Sequence, residues 1–318
     1  MKRFLIKTFL FIIPVFILII PFEYFLQKIP NDYSYKNNYL NDNSENIQIL
    51  ILGASYSYNG INPEYFDYNT FNASHVSQTY DYCFKIFNKY QENFNNLDIV
   101  IFPVSYLSFY SKLSVGNEIW REKNYKIYYG LDIDNKKISN YFEILNNKLR
   151  YNLDRIINYF LKNEHDNICT PLGFIPLPFN EADTKNLEES GRNAAIRHTR
   201  DIDSKFYSNI YLENIAGFNE FINNSKNNNI TVLLINIPAH YSYREHLDIK
   251  QLSKMHEAIN HIVENNNNAI FLDWYDNDEF LDSDFADADH LNEIGAKKLS
   301  IMLSDYINSL NIIKKGNT

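Results

Sequence analysis

Cysteine, glycine and basic residues are all scarce in this chain of 318 residues. Two cysteines cannot build a disulfide framework, and nine glycines exclude a collagen-like or low-complexity fibre. The net charge of −9 predicts no nucleic-acid partner, because phosphate contacts need a basic surface. No set of Cys and His residues has the spacing of zinc ligands, so we expect neither a metal nor a cofactor.

Hydrophobic residues make up 45% of the chain, enough to bury the core of a large α/β domain with an insertion. Cys83 lies in an amphipathic helical pattern, so we expect a buried thiol there. Nothing in the sequence indicates whether it pairs with Cys169.

One long hydrophobic run stands at the N-terminus. Three basic residues precede an uncharged run over 8–22, and the largely apolar stretch 4–26 has about the length needed to cross a bilayer. The basic flank is expected to stay in the cytoplasm. A cleaved signal peptide is the alternative, but it needs small residues at the cleavage site, and bulky or charged ones stand there. We therefore predict that residues 1–28 are a cytoplasmic tip and transmembrane signal anchor.

This orientation predicts a single-pass protein of the inner or cytoplasmic membrane. The rest of the chain would lie outside the cytoplasm, in the periplasm or the extracellular space.

Five short segments are predicted as strands, separated by segments with helical periodicity. The predicted strands are 47–52, 71–76, 97–104, 230–237 and 269–274. Continuous apolar strands that alternate with helices indicate a buried parallel sheet with helices on both faces. We therefore predict an α/β domain over 47–312, preceded by a polar tether over 29–46 and followed by a tail over 313–318.

Residues 106–207 interrupt this alternation between the third and fourth strands. The segment contains helical pieces rich in Tyr and Asn, and a proline-rich stretch. An insertion at the carboxyl end of a strand is placed to cover a site at that edge of the sheet. We predict a lid or substrate-binding insertion.

The end of the first strand suggests a nucleophile. Gly53 permits a tight turn, and Ser55 is then held at the carboxyl edge of the sheet, where ligands bind in open α/β folds. A serine hydroxyl needs a base, and His290 follows the fifth strand to the same edge. Asp287 is expected one helical turn before it, accepting a hydrogen bond from the imidazole Nδ1.

Each of these residues has a structural alternative when it is taken singly. Asp287 is a suitable helix N-cap, and His290 taken alone is compatible with an ordinary surface histidine. The three residues together, in this chain order, favour a catalytic serine with its base and orienting acid.

Two motifs resemble those of SGNH (GDSL-type) hydrolases, particularly their membrane-anchored cell-envelope branch. Gly53-Ala-Ser-Tyr-Ser matches the family's Gly-Asp-Ser-x-Ser except at Ala54, and Asp287-Ala-Asp-His matches its Asp-x-x-His. Related alginate acetylation proteins use Asp-x-His instead. Because Ala288 occupies that Asp position, Asp287 is favoured as the acid. The resemblance covers roughly 47–105 and 230–310, and it implies a flavodoxin-like α/β/α sandwich, the SGNH hydrolase fold.

The resemblance also implies an oxyanion hole. The family builds it from the nucleophile's own N–H, a backbone N–H after the second strand and an Asn side chain after the third. Ser77 is the candidate for the second donor. The family's Gly-x-Asn-Asp is missing after the third strand, and Ser105 is the candidate that remains. Loss of one donor costs on the order of a hundredfold in rate, so either another donor replaces it or the site is weak or inactive.

Two polar clusters are candidates for binding substrate. The first is a basic stretch within the insertion, for which a solvated helix face is an equal alternative. The second follows the fourth strand, where an ordinary βα loop is the alternative. The candidate residues are Arg197, His198, His240, Tyr241 and Arg244.

These features predict a serine-dependent acyl esterase or O-acyltransferase, which would form an acyl-serine and pass the acyl group to water or to a glycan hydroxyl. The resemblance and the anchor imply a cell-envelope polysaccharide as substrate, with an acylated glycan or other acyl donor and a membrane-bound acyltransferase as partners. The alternative is a catalytically degenerate SGNH-like protein that binds glycan or scaffolds an envelope acylation complex. Because Ser55, Asp287 and His290 are all present, the sequence favours chemistry.

Overall fold

Five strands, four of them rich in Ile, Leu, Val and Phe, form a parallel sheet in the computed structural model, which describes residues 1, 4, 17–164 and 168–313. The strands are β1 Ile49–Ile51, β2 Thr70–Asn72, β3 Ile99–Pro103, β4 Thr231–Asn236 and β5 Ala269–Asp273. Their order is β2-β1-β3-β4-β5, and every pair of neighbours is parallel. This order is that of flavodoxin-like folds. The parallel sheet predicted from the sequence is confirmed, with each strand inside or within a residue of its predicted segment.

Helices alternate with the strands. Before and around β1 to β3 they are α1 over residues 17–28, α2 Asp32–Asn43, α3 Ser55–Gly60 and α4 Tyr80–Tyr90. Between β3 and β4 they are α5 Glu122–Tyr129, α6 Leu149–Ile156, α7 Glu181–Thr184, α8 Leu187–His198 and α9 Lys205–Asn227. The last three are α10 Tyr241–Arg244, α11 Ile249–Asn265 and α12 Glu293–Leu310. A short antiparallel pair, β6 Phe285–Asp287 and β7 His290–Leu291, stands between β5 and α12.

Both faces of the sheet are covered by helices. Alternate strand residues, such as Ile101 and Leu233, pack with Leu299 and Leu303 of α12 on one face. On the other face, Phe102 makes ring contacts with aromatic residues of α4 and α9. The three central strands, β1, β3 and β4, are therefore buried on both sides, which explains why their sequences are mainly apolar.

The chain folds as two units, each made of two separate segments. We call Met1–Asn38 with Asn117–Ile168 the N-terminal unit, and Tyr39–Gly116 with Cys169–Thr318 the sheet unit. The segment 106–207 is therefore split: 117–168 belongs to the N-terminal unit, and the rest belongs to the sheet unit. Its role as a lid or substrate-binding insertion remains a prediction.

Residues 29–46, expected to be a tether, are largely helical. They contain α2 and a short 3₁₀ turn over Ser44–Asn46. Tyr33, Leu40 and Ser44 are buried, so this polar segment has tertiary contacts that its composition does not indicate.

The predicted membrane anchor lies partly outside the described residues, which omit 2, 3 and 5–16. Within the part of the chain that the structure describes, none of the helices has the length and apolar character needed to span a bilayer.

Cys83 and Cys169 are both buried, and no disulfide joins them. Burial raises the pKa of the Cys83 thiol to about 12, although the Gln78 side chain donates a hydrogen bond to its sulfur. The prediction of a buried thiol at Cys83 is confirmed.

Candidate active site

The turn after β1 places Ser55 at the first position of α3. Gly53 has φ +134°, a backbone conformation that favours glycine, and a Cβ there would lie 2.6 Å from Ser57 Oγ. Ser57 Oγ in turn lies within hydrogen-bonding distance of the backbone carbonyls of Leu52 and Ala54 and of Ser74 Oγ. The turn is therefore possible because Gly53 has no Cβ, and the hydroxyl of Ser57 helps to hold it in place.

The opposite side of the site is a β-hairpin, not the helical turn expected from the Asp-x-x-His spacing. Asp287 and His290 are paired across β6 and β7, and the two residues between them form the turn. Asp287 accepts a hydrogen bond from the backbone N–H of Asp289 at 3.1 Å. The helix N-cap in this region is Asn292, so Asp287 does not have the capping role that was its structural alternative.

Two neighbours hold the hairpin turn. Ser190 Oγ accepts a hydrogen bond from the N–H of Ala288, and the Ala288 carbonyl accepts one from the N–H of His240. The turn is therefore attached both to α8 and to the loop after β4.

Ser55, His290 and Asp287 form a continuous hydrogen-bonded chain. Ser55 Oγ lies 2.7 Å from His290 Nε2. On the other side of the ring, His290 Nδ1 lies 2.9 Å and 3.1 Å from the two carboxylate oxygens of Asp287. With Nδ1–H donating to Asp287, Nε2 is free of hydrogen and accepts from the Ser55 hydroxyl. The structure thus brings together the three residues predicted as catalytic.

Charges in the site favour this arrangement. Burial alone would lower the pKa of His290, but its hydrogen bond to Asp287 and the charges of Asp289 and Asp287 outweigh burial and raise it. Burial alone would raise the pKa of Asp287, but the hydrogen bond and charge of His290 outweigh it and lower the pKa. The pair therefore favours an ionised carboxylate beside a basic imidazole.

Asp289 is a second carboxylate in the site, and no sequence motif indicated its role. Its side chain is only 2% exposed, and its oxygens lie 3.5 Å from Arg197 Nη2, 3.7 Å from His290 Nδ1 and 3.8 Å from His198 Nε2. Burial and the negative charge of Asp287 raise the pKa of Asp289 to about 6, against the charges of His290 and Arg197. In the sequence, the only feature that indicated Asp289 as a residue of the site was its position next to His290.

Tyr56 is another residue of the site that the motifs did not single out. Its ring stacks on the imidazole of His290, with centroids 5.3 Å apart and planes 17° apart. It follows Ser55 directly, so the same turn that places the hydroxyl also places a flat surface against the base. A cavity of about 20 Å³, room for about one water-sized group, lies beside Tyr56 and Asp289 and is also lined by Ser105, Asn236 and Tyr243.

Arg197 and His198 lie at the end of α8, close to the site. Gly191 permits the close approach of α8 to α10, because a Cβ there would lie 2.3 Å from Ser242 Oγ. The Arg197 side chain is 59% exposed and contacts Asp289. His198 is buried, and its Nδ1 lies 2.9 Å from the Tyr243 hydroxyl. Burial and nearby positive charges lower the pKa of His198 to about 3, so it is neutral and suits a structural position.

The predicted substrate-binding residues after β4 have partners of their own. His240 Nδ1 lies 2.8 Å from Ser242 Oγ at the start of α10, and its Nε2 lies 3.1 Å from Asp282. Tyr241 donates a hydrogen bond to Glu188, and Arg244 forms an ion pair with Asp276. These contacts are those of an ordered βα loop, the alternative considered for this segment, and a substrate-binding role remains a prediction.

The two predicted oxyanion donors follow β2 and β3. Ser77 is half-buried and has φ +58°, in a turn after β2. The Ser105 hydroxyl lies 2.7 Å from that of Ser108. Donation by either residue to a substrate oxygen remains a prediction.

Asp287, Asp289 and His290 are the set of described groups whose donor atoms lie close enough to share a cation, within 4.8 Å of one another. Both ring nitrogens of His290 already have partners in Ser55 and Asp287. In this arrangement neither ring nitrogen is available to a cation.

Comparisons with known proteins do not show a family for this chain. No family model and no curated protein matches the chain. Among solved structures, the chain is similar to a GDSL-like lipase from Bacteroides thetaiotaomicron VPI-5482, at 11% identity and a TM-score of 0.40, over 87% of this chain and 99% of that one.

Proposed function

We propose that the protein is a serine-dependent acyl esterase or O-acyltransferase of the SGNH type. The observation that carries this proposal is the hydrogen-bonded chain from Ser55 through His290 to Asp287, with distances of 2.7 Å and 2.9 Å. A serine, its base and an orienting carboxylate in this arrangement are what acyl transfer requires.

The reaction would run in two halves. Ser55 Oγ attacks the ester carbonyl while its proton passes to His290 Nε2, and Asp287 stabilises the imidazolium that forms. As the tetrahedral intermediate collapses, the bond to the leaving alcohol breaks and His290 returns the proton to that alcohol. Water or a glycan hydroxyl then attacks the acyl-serine, gives its proton to His290, and Ser55 is regenerated.

The developing oxyanion needs hydrogen-bond donors. The backbone N–H of Ser55 is the first of α3, and the initial N–H groups of a helix have no partner within the helix. Ser77 and Ser105 are the further donors that we propose, by the resemblance to SGNH hydrolases. Each donor is worth on the order of a hundredfold in rate.

A cell-envelope polysaccharide is the proposed substrate, with the acyl group taken from or given to its hydroxyls. Support comes from the uncharged run over 8–22 with its basic flank, which favours a membrane anchor and a domain outside the cytoplasm. A membrane-bound acyltransferase is the proposed partner for supplying acyl groups.

Turnover of an aryl acetate and of acetylated glycans tests the proposal. Ser55→Ala is expected to lower kcat by about 10⁴-fold or more, because the nucleophile is removed. Ser309→Ala changes an exposed serine on α12 in the same way and is expected to leave kcat unchanged. A folded protein that turns over neither substrate, with or without a glycan acceptor, would favour the degenerate glycan-binding or scaffolding alternative.

A further inference from the structure

The segment 138–161 of the N-terminal unit exposes large apolar side chains. The most exposed aliphatic side chains are Ile138, Leu145, Leu149 and Leu161, at 72%, 53%, 62% and 79%, and Leu153 and Phe160 are exposed by 43% and 42%. We call these six residues the apolar face. Soluble proteins rarely expose a contiguous apolar patch of large size, and such patches mark sites of interaction.

The helix that carries much of this face has its polar side turned inward. Leu149, Leu153 and Ile157 are spaced four apart along α6 and the π-helical turn Ile157–Leu161, so they share one side. On another side, Asn152 is buried and donates to the Ile144 carbonyl, and Arg155 pairs with Glu143 at 3.2 Å. In a helix on the surface of a soluble protein the apolar stripe normally faces the core, and here it faces outward.

The apolar face continues onto α1. The rings of Phe25 and Phe160 meet edge to face with centroids 5.3 Å apart, and both side chains are more than 40% exposed. Glu23 also fixes α1 to this segment, because its carboxylate accepts hydrogen bonds at 2.8 Å from the backbone N–H groups of Glu143 and Ile144. Leu18 of α1 is 73% exposed, and the sequence before it is uncharged back to residue 8.

We propose that the apolar face lies in the interfacial region of a lipid bilayer, beside α1, as a second membrane contact. Continuity with α1 favours lipid over a protein partner, because α1 itself leads into the longest uncharged apolar run of the chain. The charges around the face also suit a membrane surface. The exposed bases Lys148, Arg150 and Lys162 outnumber the exposed acids Asp154 and Glu164, and long basic side chains reach the headgroups while their stems lie among apolar groups.

Nitroxide accessibility in the full-length chain tests this proposal. Leu153→Cys and Leu161→Cys place single labels on the apolar face, and Ile249→Cys, at an 81% exposed position on α11 of the sheet unit, is the matched control. The native cysteines are both buried, so the added thiol is the reactive one. Each labelled protein is reconstituted in vesicles of phosphatidylcholine and phosphatidylglycerol, and collisions with oxygen and with an aqueous nickel chelate are measured.

We expect the ratio of oxygen to nickel collisions to be several-fold higher at 153 and 161 than at 249. Equal ratios at all three positions would overturn the proposal, as would a chain that does not float with the vesicles. Protection that disappears as lipid is added at constant protein would assign the face to a second copy of the chain, and would also contradict it. None of these outcomes depends on whether Ser55 is a nucleophile.

Discussion

Two buried carboxylates, one in each unit, are surrounded very differently. In the N-terminal unit, Glu143 is within 2.5 Å of Lys123 Nζ and 3.2 Å of Arg155, and the Tyr128 hydroxyl donates to it. Burial would raise the pKa of Glu143, but the charges of Lys123 and Arg155 outweigh it and lower the pKa. In the sheet unit, Asp289 faces the exposed guanidinium of Arg197 at 3.5 Å and the imidazoles of His290 and His198 at 3.7 Å and 3.8 Å, and its pKa is raised.

The difference separates a structural carboxylate from one that belongs to the proposed reactive site. Full pairing keeps Glu143 ionised, and the same residue connects α5, α6 and the segment between them. Asp289 lies beside another carboxylate, Asp287, which already holds the better contact with His290. Perturbed carboxylates cluster at functional sites because reactive geometry leaves some groups without ideal partners.

The largest expected effect concerns the carboxylate that orients the base. We expect Asp287→Asn to lower kcat/KM by about 10⁴-fold, because the amide no longer fixes the tautomer of His290 or stabilises the imidazolium. Because Asp287 helps to raise the pKa of His290, the acid limb of the pH–rate profile should move to lower pH. Asp282→Asn is the matched control, since Asp282 contacts another histidine, His240, from an exposed position. An Asp287→Asn enzyme with native activity would contradict the assignment.

The next effect is on the stability of the N-terminal unit. Glu143→Gln leaves the charges of Lys123 and Arg155 without their carboxylate, and we expect a loss of about 3–5 kcal/mol in the free energy of local unfolding. Hydrogen exchange of the amides of α5 measures it. Asp132→Asn, which breaks an exposed ion pair with Lys136 in the same unit, should leave exchange unchanged. Unchanged exchange in Glu143→Gln would show that the two buried carboxylates do not differ as described.

Asp289→Asn, unlike Glu143→Gln, is expected to gain stability relative to the native protein as the pH rises. The folded state holds a proton on Asp289 more tightly than the unfolded state, so its contribution is favourable below pH 3.8 and is lost as the pH rises through about 6. The free energy of unfolding of the native protein should therefore fall, relative to Asp289→Asn, by at most about 2–3 kcal/mol between pH 4 and pH 7. Urea titrations of both proteins at the two pH values measure this, and a native protein that gains stability relative to the variant would refute it.

The smallest expected effect is at Arg197. Its guanidinium is mostly exposed, so we expect Arg197→Gln to change the free energy of unfolding by less than about 1 kcal/mol. It should still raise the pKa of Asp289 further, because Arg197 is one of the charges that lower it. Arg192→Gln, on an exposed position of the same helix, is the control. Titration of the Asp289 carboxyl by NMR distinguishes the two variants, and an equal pKa in both would exclude an influence of Arg197.

The sequence predicted the sheet and the meeting of Ser55, Asp287 and His290, because apolar runs mark buried strands and parallel strands end at one edge. It did not predict the hairpin, since Asp-x-x-His has the same spacing on a helical turn and across a two-residue β-turn. Asp289 was missed because its role depends on burial, which no local pattern encodes. The polar composition of 29–46 hid α2 for the same reason: buried Tyr33 packs against Tyr125, which is distant in the sequence.

The most direct test of the central claim is the mass of the protein after reaction with a fluorophosphonate. We predict a single phosphonyl adduct on the peptide that contains Ser55, formed much more slowly in His290→Ala because the base is missing. A folded protein that carries no adduct, or carries it on another residue, would contradict the assignment of Ser55 as nucleophile.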